Sequence, residues 1–207
     1  MVTITDFRKA IENRMPRPIG AHKYFSVLAP LVVRGGELHF LFELRSENLR
    51  RQPGEVSFPG GKVERGESPR ECAIRETSEE LGIPQAHIEV LGELDYIPAY
   101  SDTLYSFLGV LPDADYEKTM NRDEVREIFL APAAFFMENE PEVYSFDVRP
   151  KVDEDFPYGK IRQAQGYKWR SSTMTVPIYS FGDKVIWGMT ARITWNLVRI
   201  LKEAAVQ

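Results

Sequence analysis

Residues 61–83 hold the densest set of chemically capable side chains in the sequence. The run Gly61-Lys-Val-Glu-Arg-Gly-Glu67-Ser-Pro-Arg-Glu-Cys-Ala-Ile-Arg75-Glu76-Thr77-Ser-Glu79-Glu80-Leu81-Gly82-Ile83 puts a glycine, a separate glutamate and an Arg-Glu-x-x-Glu-Glu cluster on a loop entering a helix. Carboxylates one helical turn apart can converge on a hard cation, and a cation held that way suits diphosphate chemistry. Glu76 and Glu80, at i and i+4, are the best candidates for direct ligands of Mg²⁺ or Mn²⁺, with Glu79 completing the set directly or through water. Arg75 reaches Glu79 at i+4 and is expected to orient a carboxylate, while Glu67 is expected to buttress the loop. A solvated acidic face is the ordinary meaning of glutamates clustered on a helix. Such a face has no reason to carry Gly61 and Glu67 at fixed spacing upstream, and that spacing favours the functional reading.

The helix that must position these groups has clear local signals. Ser68 is a good N-cap, Pro69 suits the first helical position, and Glu71 completes a capping box. Gly82 ends the helix, with Pro84 soon after. At 3.6 residues per turn, Ala73, Ile74, Thr77 and Leu81 share one face and Glu76, Glu79 and Glu80 an adjacent one. Cys72 falls on the acidic side near Glu76 and is read as a small packed residue rather than a nucleophile, since no histidine neighbours it.

The spacing of residues 61–83 resembles the Nudix box: Gly, five residues, Glu, seven residues, Arg-Glu, two residues, Glu-Glu, one residue, Gly and an apolar residue. Only Thr77 departs, where the family usually has an aliphatic side chain. The resemblance implies an α/β fold, the Nudix-type α/β/α sandwich with a mixed β-sheet. It also implies that a loop glycine, Gly60 or Gly61, offers its carbonyl to the metal. Upstream, Leu41-Phe-Glu-Leu-Arg45-Ser46-Glu-Asn-Leu-Arg50-Arg-Gln-Pro-Gly54-Glu-Val-Ser-Phe58-Pro59-Gly60-Gly61 is similar to the signature of coenzyme A diphosphatases within that superfamily. The match holds at Leu41, Arg45, Ser46, Arg50, Gly54 and Phe58 to Gly61; Phe42 departs conservatively, and Glu43 departs by putting a charge where the pattern has threonine. Ile186-Trp187-Gly188-Met-Thr190-Ala191 also looks like this subfamily.

As a phosphate reader the upstream segment is chemically sensible. Arg45 and Arg50 are planar, permanently charged donors suited to phosphate, whereas Arg51 is expected to pair on the surface. Gly54, Gly60 and Gly61 allow close backbone approach, and Pro59 stiffens the entry to the loop. Ser46 and Phe58 join the candidate substrate contacts through the resemblance. The expected reaction is metal-dependent hydrolysis of coenzyme A or an acyl derivative to 3′,5′-ADP and 4′-phosphopantetheine, with water attacking phosphorus in line. Glu79 is one candidate base. Glu124 or Glu127, in Asn121-Arg-Asp-Glu-Val-Arg-Glu, is another, although a turn salt-bridged to Arg122 and Arg126 is the favoured expectation for both. Hydrolysis of ADP-ribose or NADH is the alternative, with a non-catalytic Nudix-like binding module behind it; such modules usually lose box carboxylates, and all four are present here.

Composition narrows the classes. The chain of 207 residues, 43% apolar, is enough for one domain with a full core. A net charge of −5 argues against a general nucleic-acid binder, so the expected partner is a small molecule. Cys72 is the only cysteine, which leaves no internal disulfide; with no signal-like start and no membrane-length apolar run, a cytoplasmic location is expected.

The remaining sequence supplies scaffold. Residues 5–14 read as a short amphipathic helix with Phe7, Ala10 and Ile11 on one side. Tyr24–Val33 and Leu38–Leu44 form a hairpin across Arg34-Gly35-Gly36-Glu37, and Ile88–Ile97 and Leu104–Leu111 read as two more strands. A turn and short strand are expected within 121–132, then a helix from Ala133. Thr175–Phe181 and Lys184–Trp187 complete the strands, and Thr190–Ala205 forms the C-terminal helix. Residues 139–171 are expected to be an irregular insertion whose basic side chains (Arg149, Lys151, Lys160, Arg162, Lys168, Arg170) and aromatics contact substrate, form a homodimer contact or stay solvated. Tyr96 to Asp102 is a second candidate wall of the site. The three histidines, His22, His39 and His87, lack metal-ligand spacing and are expected to be structural or exposed.

Overall fold

A computed structural model describes residues 2–16, 18–160 and 167–205. The described elements are α1 (Ile4–Ile11), β1 (Lys23–Arg34), β2 (Glu37–Arg45), β3 (Val56–Ser57), β4 (Gly60–Lys62), α2 (Pro69–Leu81), β5 (Glu89–Glu93), β6 (Ile97–Pro98), β7 (Asp102–Leu111), β8 (Val125–Pro132), α3 (Ala133–Glu138), β9 (Glu142–Val148), β10 (Ser172–Phe181), β11 (Lys184–Trp187) and α4 (Gly188–Ala204). The main sheet runs β3-β2-β1-β7-β5, with β4 on β1, β6 on β7 and β8 on β2. Its β1–β7 pair is parallel and its other pairs are antiparallel, so the sheet is mixed.

Period-two alternation sends successive side chains of β1 and β2 to opposite faces. Leu28, Val32 and Leu41 meet Ala73 and Leu81 of α2 on one face. Ala29, Leu31, Phe40 and Phe42 meet Phe136 of α3 and Ile193, Leu197 and Val198 of α4 on the other. A sheet covered on both sides by helices is the expected α/β/α sandwich. Phe42 is the centre of the second layer, stacked between Phe58 at 4.8 Å and Phe129 at 5.4 Å.

Three elements differ from the sequence reading. Residues 139–171 are not irregular throughout, because Glu142–Val148 forms β9 and pairs antiparallel with β10 in a second sheet, β11-β10-β9. Every residue of β9 is exposed, so no buried face imposes a hydrophobic alternation on its sequence. The expected strand Ile88–Ile97 is broken into β5 and β6, after a register shift between Val90 and Gly92. Helix α1 forms, with a Thr3–Asp6 capping box, but buries none of its residues; Phe7 and Ile11 stay exposed. No helix among the described residues is long and apolar enough to cross a membrane.

Candidate active site beside the carboxylate helix

Helix α2 starts at the Ser68 cap, where Ser68 and Glu71 exchange both bonds of the capping box, and stops at Gly82 with φ +64°. Thr77 is fully buried, and its hydroxyl donates to Ala73 O at 2.7 Å. That bond satisfies the one polar group on the apolar face, which is why threonine is tolerated there.

Arg75 organises the acidic side. It grips Glu67 with two bonds, Nε to Oε1 at 2.8 Å and Nη2 to Oε2 at 3.1 Å. Its Nη1 donates to Glu76 at 2.9 Å and Glu79 at 3.1 Å. The fork geometry of a guanidinium allows one residue to fix the loop and two helix carboxylates together. Glu67 also accepts from Glu64 N, which closes the loop, and the Arg75 bond holds its pKa below the ordinary carboxylate value. Glu76 is driven the other way, upward, by burial against the opposing pull of Arg75.

Glu80 is almost fully buried and accepts from Gly60 N at 2.7 Å. Burial first, and then the nearby Glu43 carboxylate, raise its pKa well above the usual range. The Gly60 bond follows from strand register. Antiparallel pairs alternate between bonded and unbonded positions. Leu28 N donates to Pro59 O and Val63 N to Tyr24 O, so Ser26–Gly61 is the bonded pair and Val27–Gly60 the unbonded one. Both backbone groups of Gly60 therefore turn away from β1, while the Gly61 carbonyl is taken up in the ladder. Of the two loop glycines, Gly60 has the carbonyl left over for a ligand.

Glu43 is the residue whose importance the sequence reading missed. It is fully buried in β2, on the same face as Leu41, and that face is the one α2 covers. Ser57 Oγ donates to its Oε1 at 3.1 Å, Arg45 Nη1 stands 4.0 Å away, and its Oε2 has no hydrogen-bond partner. Burial pushes its pKa up to about 7, against the Ser57 bond and the Arg45 charge, and with help from Glu124 and Glu76. The parity of Leu41 and Glu43 along a strand was a usable signal, had the facing helix been known.

The turn after a short 3₁₀ helix, Tyr116–Lys118, carries Glu124. Ser46 N donates to Glu124 O at 2.8 Å and Asn121 N to Glu80 O at 2.8 Å, which ties the turn to β2 and α2. The expected salt-bridged turn is not what forms. Arg122 pairs with Glu117, Arg126 with Glu47 and Glu127 with Lys184, and no ion pair to Glu124 exists among the described residues.

A cavity of about 500 Å³ opens onto Gly60 and Gly61. Phe25, Ile97, Leu104, Trp187 and Met189 give it an apolar wall, and Arg45 and Arg51 supply charge. Ala99 and Asp102 line it too, so the 96–102 segment does contribute, and Thr190 ties α4 to the site by donating to Val56 O at 3.2 Å. Phe58 lines the cavity while stacking on Phe42. Arg50, Ser46 and Gly54 do not line it. The Ser46 hydroxyl accepts from Asn48 N, and Gly54 turns at φ +69° against Glu47. Arg51, expected on the surface, does line it. None of the described residues of 139–171 reaches the cavity, and Arg162 lies outside the described residues. His22 and His39 make structural bonds, to Thr103 and to Glu37 O.

The residues fit a hard divalent cation. No three described His, Cys, Asp or Glu side chains stand at coordinating positions as they are, because Arg75 holds Glu76 and Gly60 holds Glu80. The donor set is nevertheless all oxygen, carboxylates with the Gly60 carbonyl, and it includes a buried oxygen on Glu43 without a partner. Like charges packed out of water call for a compensating positive charge.

The mixed sheet between helices, with an acidic helix following a Gly-Gly loop, defines a Nudix-type architecture. The NUDIX domain model matches residues 25–149, more than half of the chain, and the chain belongs to this family. Divalent-cation use is general in the family. The chain is 39% identical over 121 residues to the mouse peroxisomal coenzyme A diphosphatase NUDT7, covering 58% of this chain and 50% of that protein. It is 31% identical over 186 residues to the human mitochondrial coenzyme A diphosphatase NUDT8, covering 88% and 71%. An uncharacterized Nudix hydrolase NudL from Pectobacterium atrosepticum is 28% identical over 94% of this chain and 92% of that one. The chain thus spans about half the length of the NUDT7 relative. A MutT/nudix family protein from Enterococcus faecalis shares the fold, with a TM-score of 0.53 at 16% identity over 97% of this chain and 70% of that one.

Proposed function

We propose that the chain hydrolyses the diphosphate bond of coenzyme A or an acyl-CoA, with Mg²⁺ or Mn²⁺, to give 3′,5′-ADP and (acyl-)4′-phosphopantetheine. The observation that carries this reading is the apolar-walled cavity with Arg45 and Arg51 at the Gly60–Gly61 loop, beside the Glu76 and Glu80 carboxylates. Coenzyme A has the matching chemistry: a long thiol-ended arm for the apolar wall and a diphosphate and 3′-phosphate for the arginines. The names of the NUDT7 and NUDT8 relatives agree with it.

Glu76, Glu80 and the Gly60 carbonyl would hold the cation, with Glu79 at the exposed edge; a cation bound there would supply charge to neutralise the diphosphate and to lower the pKa of a water. Arg75 keeps Glu67, Glu76 and Glu79 in one arrangement, so its role is positioning. Glu124, without an ion pair among the described residues and close to Glu43 and Glu76, is better placed than Glu79 to accept the water's proton, since Arg75 already engages Glu79. Water oxygen bonds to phosphorus, the bridging P–O bond breaks, and Glu124 takes the proton. Trp187 and Met189 keep bulk water from the pantetheine arm. Residues 1–207 are read as one Nudix domain, since α4, beyond the matched residues, supplies Ile193, Leu197 and Val198 to the shared core. A cytoplasmic location goes with this reading, on the single buried cysteine.

The test offers coenzyme A, ADP-ribose and NADH with Mg²⁺ or Mn²⁺ to wild type and Glu80→Gln and resolves products by chromatography. Preferential 3′,5′-ADP release that the variant loses is expected. Cleavage of ADP-ribose or NADH with coenzyme A intact refutes the substrate and keeps the family chemistry.

A further inference from the structure

We propose that Glu43 is a ligand of the divalent-cation site, contributed by β2 on the sheet face that α2, with Glu76 and Glu80, covers. This rests on the reading of Glu76 and Glu80 as ligands. It adds a carboxylate from outside the box helix, at a position where the coenzyme A diphosphatase pattern has threonine.

Three observations meet at this residue. Strand alternation points Glu43, like Leu41, at the face that α2 covers. Its side chain is wholly buried, with one oxygen bonded to Ser57 and the other without a partner. Its surroundings are acidic: Glu80 is nearly buried beside it, and Glu76 and Glu124 are close. The cations at hand do not resolve this. Arg45 stands 4.0 Å off, beyond hydrogen-bond distance, and Arg75 spends its donors on Glu67, Glu76 and Glu79. A buried carboxylate oxygen with no donor and three acidic neighbours is an arrangement that a shared divalent ion completes. Ser57 then has a plain role, orienting Glu43 by a bond to the oxygen that faces away from the ion.

Mn²⁺ binding by calorimetry to the full chain tests this, with thermal melts in the presence and absence of Mn²⁺. Wild type, Glu43→Gln, Glu43→Thr and Glu80→Gln are compared. Expected for Glu43→Gln is Mn²⁺ binding weakened by about tenfold or more, a smaller Mn²⁺-induced rise in Tm, and a metal-free Tm at or above that of wild type. The threonine variant, with a hydroxyl that can still meet Ser57, serves should the glutamine variant not fold. Binding within about twofold of wild type in the folded variant overturns the assignment of Glu43 while Glu80→Gln still binds weakly. If Glu80→Gln also binds like wild type, the underlying site is wrong and the proposal falls with it.

Discussion

Replacing Gly61 with alanine puts a methyl group where the Glu76 carboxyl now lies. A Cβ built there is 2.6 Å from Glu76 Oε2, with Cδ and Oε1 closer still. Comfortable carbon contacts begin near 3.5 Å, so the carboxylate must withdraw by about 1 Å. Misplacement on that scale costs roughly 100-fold in rate. The fold should tolerate the change, because the obstacle is the end of a flexible side chain and Gly61 does not sit at positive φ. Stability should stay within about 1 kcal/mol, a Tm shift of roughly 2–4 °C in a chain of this size. The neighbouring glycine is the control. A Cβ on Gly60 meets backbone, with Val27 Cα at 2.7 Å and Ser26 O closer, so Gly60→Ala should cost about 1–3 kcal/mol as well as activity. Coenzyme A hydrolysis with Mn²⁺ gives kcat/KM, and scanning fluorimetry gives Tm. A Gly61→Ala enzyme with wild-type Tm and kcat/KM within about threefold of wild type would refute the reasoning, since ~100-fold is what the displaced Glu76 demands.

Phe42→Ala removes the ring stacked between Phe58 and Phe129 and should cost about 3–5 kcal/mol, or roughly 6–20 °C in Tm, with no change of metal requirement; a shift under about 2 °C contradicts the packing account. Cys72 is fully buried, and burial together with Glu67 and Glu76 pushes its thiol up to about 12. Iodoacetamide at pH 8 should leave it unmodified in the native chain and alkylate it after denaturation, as mass spectrometry reads; stoichiometric native labelling rules this out. Arg51→Ala should raise KM for coenzyme A by about tenfold or more, while Arg50→Ala, outside the cavity, should change it by less than about twofold. Equal effects at both positions would mean that the cavity is not the substrate site.

Helix α2 was legible because its signals are local. Ser68, Pro69, Glu71 and Gly82 act through bonds within three or four residues, and the structure has the same cap and stop. Sheet β2–β1–β7 was legible because its strands bury at least one face, which imposes pattern on sequence. Strand β9 was not, since all of it is exposed and nothing constrains its alternation. The Glu124 turn failed differently. Arg122 and Arg126 were expected to hold its acids because they are near in sequence, yet Arg126 reaches Glu47, 79 residues away in sequence and just past the end of β2.

By itself the sequence determined the chemistry available: an acidic helix with a capped start, a Gly-Gly loop before it, and arginines upstream. Those depend on residue type and short-range geometry, which the chain carries wherever it folds. Tertiary structure decided which groups meet. It turned the Leu41 and Glu43 side of β2 to the sheet face that α2 covers and so made Glu43 a neighbour of Glu80. It turned Gly60 rather than Gly61 outward, through the register of β4 on β1. It also brought Arg51, Asp102 and Trp187 from three separate segments to one cavity. Pairing of strands distant in sequence is set by burial of the whole sheet between two helix layers, and no local window contains that information.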